Sequence, residues 1–174
     1  MGLSVAIAGG IVMFSMIYVM LMLPNMIDQT VSINKASSDI LEIENAIIKT
    51  DISMSSLTVT DTTNGYVQFN VQNSGAEKLW NFTNFDLIVT YPISASPWNK
   101  TESLLYSEGC NPEPATGTWC MQSISSDNID PNILNNGETM TARGKVTQTV
   151  SSGMVTSIIS TNNGITSVRT YTVP

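Results

Sequence analysis

The sequence predicts a mainly β protein in which an N-terminal transmembrane and stalk α-helix, residues 1–50, precedes an immunoglobulin-like β-sandwich, residues 51–174. Three observations predict it. No charged side chain occurs before Asp28. Apolar residues then recur at spacings of three and four as far as Ile47. Beyond Thr50, short runs of Val, Ile, Thr and Tyr alternate with polar residues and are divided by Asn-Gly pairs.

The first element is the almost wholly apolar or small stretch 3–23. At ~1.5 Å rise per residue it spans about 31 Å, which matches a hydrocarbon core of about 30 Å. A secretory signal has a shorter apolar region behind basic residues, and neither feature is present, so the segment is expected to stay in the membrane. Gly9 and Gly10, with Ala6, Ala8 and Ser15, thin one part of the helix; such residues either admit another backbone or are simply tolerated in lipid. Met13, Met16, Met20, Met22 and Met26 read as adaptable packing.

Pro24 and Asn25 interrupt the apolar run, and a second pattern follows. Ile33, Ala36, Ile40, Ile43 and Ile47 form an a/d stripe of two heptads. Asp28, Lys35, Asp39, Glu42, Glu44 and Lys49 fall between them, so the helix is apolar on one side and hydrated on the other. This stripe is the expected helix-packing interface, and its partner is either another helix or the chain's own domain. Joined to the first segment, it predicts one helix of residues 5–49, about 68 Å long at ~1.5 Å per residue and bent near Pro24.

Strands are expected at 52–59, 66–72, 85–91, 102–106, 118–124, 138–147, 154–160 and 165–173. Asn64-Gly65, Asn136-Gly137 and Asn163-Gly164 supply the positive φ that tight hairpin turns require. Eight short strands with turns at this spacing read as a two-sheet sandwich, without the Cys and Trp pairing of antibody domains.

Composition narrows the function. A chain of 174 residues, 42% hydrophobic, holds one domain and an accessory segment. Its net charge of −7 makes nucleic acid a poor partner. Charged residues are 12% of the chain, half the ~25% of ordinary soluble proteins. Ser, Thr and Asn supply 57 residues and most of the polar surface. With no histidine, the usual general base and the usual metal ligand are both missing, so neither catalysis nor a cofactor is expected.

Cys110 and Cys120 enclose Pro112, Pro114 and Gly117, which cannot build a strand; a disulfide closing a loop is expected, the alternative being free thiols in a reducing compartment. Asn81-Phe82-Thr83 and Asn99-Lys100-Thr101 match the N-glycosylation acceptor pattern in predicted loops and point to an external location. Asp127, Asn128, Asp130 and Glu138 offer oxygen ligands but no regular calcium motif, and read as a solvated turn. Trp119 is expected to cover the disulfide, and Trp80 and Trp98 to lie in the core or at its rim.

The order of features resembles the archaeal flagellum (archaellum) accessory or stator proteins of the F and G type, which are archaellin-related. The resemblance is carried by MGLSV at 1–5 opening into an apolar helix, by VQFNVQNSG at 67–75, by FDLIV at 85–89, and by the closing segment 158–173 around Asn163-Gly164. It implies a single-pass protein of the cell membrane whose C-terminal domain is extracellular, or pseudoperiplasmic. There the sandwich resists the torque of the filament by contacting the surface layer or a sibling protein, in a homo- or hetero-oligomer. Filament subunits of the archaellin or type IV pilin kind share the layout but are cut from precursors with basic residues before the helix. Met1 and the lack of such residues favour the accessory protein. The Cys pair and the extended segment 92–118 depart from the family pattern. An anchored extracellular ligand-binding sandwich is the remaining reading; it requires a concave site with aromatic and carboxylate groups, and the sequence holds no dense cluster of them.

Overall fold

The computed structural model describes residues 2–96, 98–110, 113–127 and 129–174, and the side chains of all of these except 2–6 and 25–27. Asn128 and Pro112, and the side chains of Ala6, Asn25 and Met26, therefore lie outside the described set. The chain divides into two compact units, Met1–Glu44 and Asn45–Pro174.

The first unit lies within helix α1, Gly2–Lys49, which continues through Pro24. Proline costs an interior helix one hydrogen bond, and the expected effect is a kink rather than an end. The apolar side chains here are uncovered: Met13, Phe14, Met16, Met20 and Leu21 are all exposed. Among the described residues this is the one helix long and apolar enough to cross a membrane.

The second unit carries β1 (Ile52–Asp61), β2 (Tyr66–Asn73), β3 (Asp86–Pro92), β4 (Asn99–Tyr106), β5 (Thr118–Ser125), β6 (Thr139–Lys145), β7 (Gly153–Ser160) and β8 (Thr166–Val173). Each expected run is one strand. Their order is β1-β2-β6-β5-β4-β3-β7-β8. Pairing is antiparallel except at β4–β5, where a short parallel contact joins only Leu105 to Thr118 and Tyr106 to Trp119. Two four-stranded sheets result, β1-β2-β6-β5 and β4-β3-β7-β8. This is the immunoglobulin arrangement of an ABED sheet on a CFG sheet, with β4 added beside the C strand. On the opposite side the Met54 N–H donates to Ser167 Oγ at 2.8 Å, so β1 and β8 nearly close the sandwich.

Alternation along the strands builds the core. Val67, Phe69 and Val71 of β2 face Leu87, Val89 and Tyr91 of β3 across the sandwich, all fully buried. In β1 the inward positions are Ile52 and Met54, then Leu57. A register shift between Met54 and Ser56 makes the change of parity, as a β-bulge does. Gly65, Gly137 and Gly164 have φ of 70°, 82° and 79°, the left-handed conformation that the sequence called for, but Asn136-Gly137 lies in the long connection 126–138 between β5 and β6 rather than in a tight hairpin.

β4 begins earlier than its expected position. Asn99 pairs with Pro92 and Lys100 with Tyr91, so the second acceptor triplet starts a strand rather than lying in a loop. Its polar sequence hid it. The strand is held on β3 by backbone pairing and by the Thr90 and Thr101 hydroxyls, 2.8 Å apart.

Candidate interaction site

The stretch that ends the helix is built from the motif VQNSG at 71–75. An α-helix leaves its last carbonyls unpaired, and a glycine just past the end commonly serves them. Here the residue past the end is Thr50, whose N–H donates to Ala46 O and Ile47 O, each at 3.1 Å, and whose hydroxyl donates to Ala46 O at 2.7 Å. The sandwich supplies further donors. Ala76 N–H and Glu77 N–H reach Lys49 O at 2.7 and 3.0 Å, while Ser74 N–H and Gly75 N–H both reach Asp51 O at 3.0 Å.

Such close backbone approach requires Gly75. A Cβ there would fall within contact distance of Asp51 N and Lys49 O, and lie 2.9 Å from Thr50 C. Asn73 organises the turn. Although fully buried, it donates its amide to Glu77 O at 2.7 Å and Leu134 O at 2.9 Å, and accepts from Gly75 N–H at 3.0 Å. A buried side chain with these bonds satisfied is a rigid fixture.

A second polar fixture joins the two sheets. Tyr91 OH, buried in β3, donates to Glu102 Oε1 of β4. Glu102 also accepts from the Thr147 N–H at 2.9 Å and the Thr147 hydroxyl at 2.8 Å, just beyond β6. Burial alone would raise the Glu102 pKa, yet these hydrogen bonds and the nearby Lys100 charge together hold it below the usual carboxylate value. Burial, and then the bond to Glu102, push the Tyr91 hydroxyl up to about 12.

The residues singled out in the sequence are not gathered at one place. Ile33, Ala36, Ile40 and Ile43 of the stripe are exposed in the first unit, and Ile47 belongs to the second. A disulfide joins Cys110 to Cys120 with the Cα atoms 5.6 Å apart. Trp119 does not cover it. Neighbouring residues of a strand project to opposite faces. Trp119 accordingly turns into the core, its ring 4.8 Å from that of Tyr106 and 6.0 Å from that of Phe69.

Trp80 and Trp98 lie at the rim, 65% and 68% exposed. Asn99 is exposed, and Asn81 is half-buried before the 3₁₀ turn Phe82–Asn84. Asp127, Asp130 and Glu138 do not converge. They bind Asn132 N–H at 3.0 Å, the Lys78 ammonium at 2.5 Å and Asn135 N–H at 2.8 Å respectively. Among the described residues no group of His, Cys, Asp and Glu is arranged to hold a metal.

The outer face of the second sheet carries a row the sequence could not announce. Thr101, Thr90, Thr156 and Thr170 are successive partners across β4, β3, β7 and β8. In the neighbouring row Ser103, Ile88, Ile158 and Val168 do the same. Neither row contains a charge, and the next position outward on β3 is the exposed Asp86.

No family model matches the chain, and no curated protein matches it. Solved structures do. The archaellum periplasmic stator protein FlaG from Sulfolobus acidocaldarius is 20% identical, with a TM-score of 0.50 over 70% of this chain and 99% of that one. The stator protein complex of FlaF and FlaG from the same organism gives a TM-score of 0.49 at 19% identity, over 69% of this chain and 87% of that one. The archaeal flagellin FlaB1 from Methanocaldococcus jannaschii is 12% identical, with a TM-score of 0.52 over 72% of this chain and 90% of that one. The fold is similar to that of an archaellum stator protein and to that of an archaellin.

Proposed function

We propose that the chain is a non-enzymatic structural component of the archaellum, with a stator-like role. Residues 1–50 anchor it in the cell membrane and carry the stalk, and residues 51–174 form an extracellular domain that holds the motor to the envelope or surface layer. The observation that carries this reading is the match to 99% of the solved FlaG chain, on a chain whose N-terminal helix exposes a membrane-length apolar surface. The rigid seat of the helix end at Asn73 and Gly75 supports it, because an anchor must pass load from sandwich to helix. The exposed stripe from Ile33 to Ile43 supports assembly with another helix in a homo- or hetero-oligomer.

Likeness to FlaB1 supports a filament subunit as the second reading. Deleting the gene in a motile host separates the two. An anchor is needed for torque rather than polymerisation, so the stator reading expects assembled filaments that fail to swim. Complete loss of filaments transfers the assignment to the subunit reading.

A further inference from the structure

The fold creates a concave site from residues that the sequence keeps apart. β4 leaves β5 after Tyr106 pairs with Trp119, and the Ser107 N–H makes a last bond to Trp119 O at 2.8 Å. Beyond that point β5 is paired only with β6, and among the described residues no strand pairs with its other edge. A cavity of about 640 Å³ opens beside it, lined by Tyr106, Glu108, Asp127 and Asn132 and by the consecutive residues 121–124. A register shift between Met121 and Ser123 bends the strand here.

The lining has one electrostatic character. Glu108 and Asp127 are carboxylates and Tyr106 is a π surface. No Lys or Arg lies among the described lining residues. Asp127 Oδ2 accepts from the Asn132 N–H, whereas its Oδ1 is buried with no hydrogen-bond partner among the described residues. Burial, and then the Glu108 charge, raise the Tyr106 pKa, so its ring and the carboxylate share one environment. The disulfide two residues beyond Glu108 joins its loop to β5.

We propose that this cavity receives the arginine or lysine side chain of an extended segment of a partner protein, laid along the edge of β5 away from β6. A cation fits two carboxylates and an aromatic ring, which attract it by charge and through the ring quadrupole. A peptide fits because a wall of four consecutive strand residues offers backbone donors and acceptors, as in strand addition. A metal fits less well, since calcium takes six to eight oxygens and no metal-holding group is arranged among the described residues. The site goes beyond the archaellum reading and does not depend on it.

The test uses the full-length, disulfide-bonded chain in nonionic detergent. The probes are the peptide acetyl-Thr-Val-Arg-Val-Thr-amide and its isosteric, uncharged citrulline counterpart, titrated while the amide resonances of residues 121–124 are followed. The arginine peptide is expected to shift those amides and to bind about tenfold more tightly than the citrulline peptide. The double variant Glu108→Gln/Asp127→Asn should lose that tenfold preference while keeping the native thermal midpoint within a few degrees. Equal binding of the two peptides, absence of shifts at 121–124, or an unchanged preference in the folded double variant would each overturn the proposal. So would displacement of the arginine peptide by calcium chloride at concentrations where sodium chloride of equal ionic strength has no effect.

Discussion

Asn163 donates its side-chain amide to Thr50 Oγ1 at 2.8 Å, across a sequence separation of 113 residues. Thr50 passes the bond on, its hydroxyl donating to Ala46 O in the last turn of the helix. The turn between β7 and β8 thus grips the helix end from one sheet, while Ala76 and Glu77, just past β2, grip Lys49 O from the other. The helix end is therefore bonded to both sheets rather than to a single strand.

Gly75 is the tightest point of that seat, which makes Gly75→Ala the sharpest probe of it. Overpacking against backbone atoms costs roughly 1 to 3 kcal/mol, and loss of the Asn163 bond in Asn163→Ala about 1 kcal/mol. Urea unfolding is expected to show both losses, the glycine variant showing the larger. A neutral Gly75→Ala would mean that the helix end does not pack as described.

Replacing Cys120 by Ser opens the loop that the disulfide closes. In the chain-entropy model a loop this short contributes roughly 2 to 3 kcal/mol. The expected result is a lower unfolding midpoint with an unchanged circular dichroism spectrum at 25 °C. Thiol titration of native protein prepared without reductant should find no free cysteine; two titratable thiols would rule out the bridge.

The bond from Tyr91 to Glu102 makes stability depend on pH at both ends of the scale. Glu102 has a lowered pKa in the folded state, so its contribution is present above the unfolded value near 4.5 and fades as pH falls through the folded one. Tyr91 has a raised pKa, so its contribution is present below 10 and is lost as pH rises through about 12. Glu102→Gln should flatten the acid limb and Tyr91→Phe the alkaline limb of a plot of unfolding free energy against pH. Limbs identical to those of the native chain would show that neither group is coupled to folding.

Ile40 and Ile43 lie in the first unit and are 56% and 61% exposed. Burial of one isoleucine in an assembly is worth roughly 1.5 to 3 kcal/mol. Ile40→Asp/Ile43→Asp is therefore expected to abolish cross-linked oligomers in membranes and to stop swimming, while protease resistance of the sandwich stays native. Unchanged cross-linking would remove the stripe as the assembly surface.

Orientation is tested separately by protease added to intact cells. With the sandwich outside, the immunoreactive domain from Thr50 onward should be removed. Its protection would reverse the topology, on which the positive-inside rule is silent because no basic residue precedes Lys35.

The helix, the eight strands and the Asn-Gly turns were legible in the sequence because each rests on a local property. A period of 3.6 or 2 is written in neighbouring side chains, and a positive φ is a property of one residue. The start of β4 was not legible, since Asn99, Lys100 and Thr101 are strand residues only by virtue of their partners on β3. Trp119 was misplaced for a similar reason: proximity to Cys120 in the chain says nothing about which face of β5 each side chain occupies.

What the sequence determined by itself is the class of molecule: a helix that opens on an uncharged apolar stretch, an acidic and histidine-free β domain, and one cysteine pair. What only the tertiary structure decided is which distant residues meet. Asn73 reaches Leu134 O at 2.9 Å, Asn163 reaches Thr50, and Tyr106, Glu108 and Asp127 surround one cavity. Strand order and register place these groups together. Register is set by how whole hydrophobic faces pack against each other, a choice made by all the strands at once and recorded in no single stretch of chain.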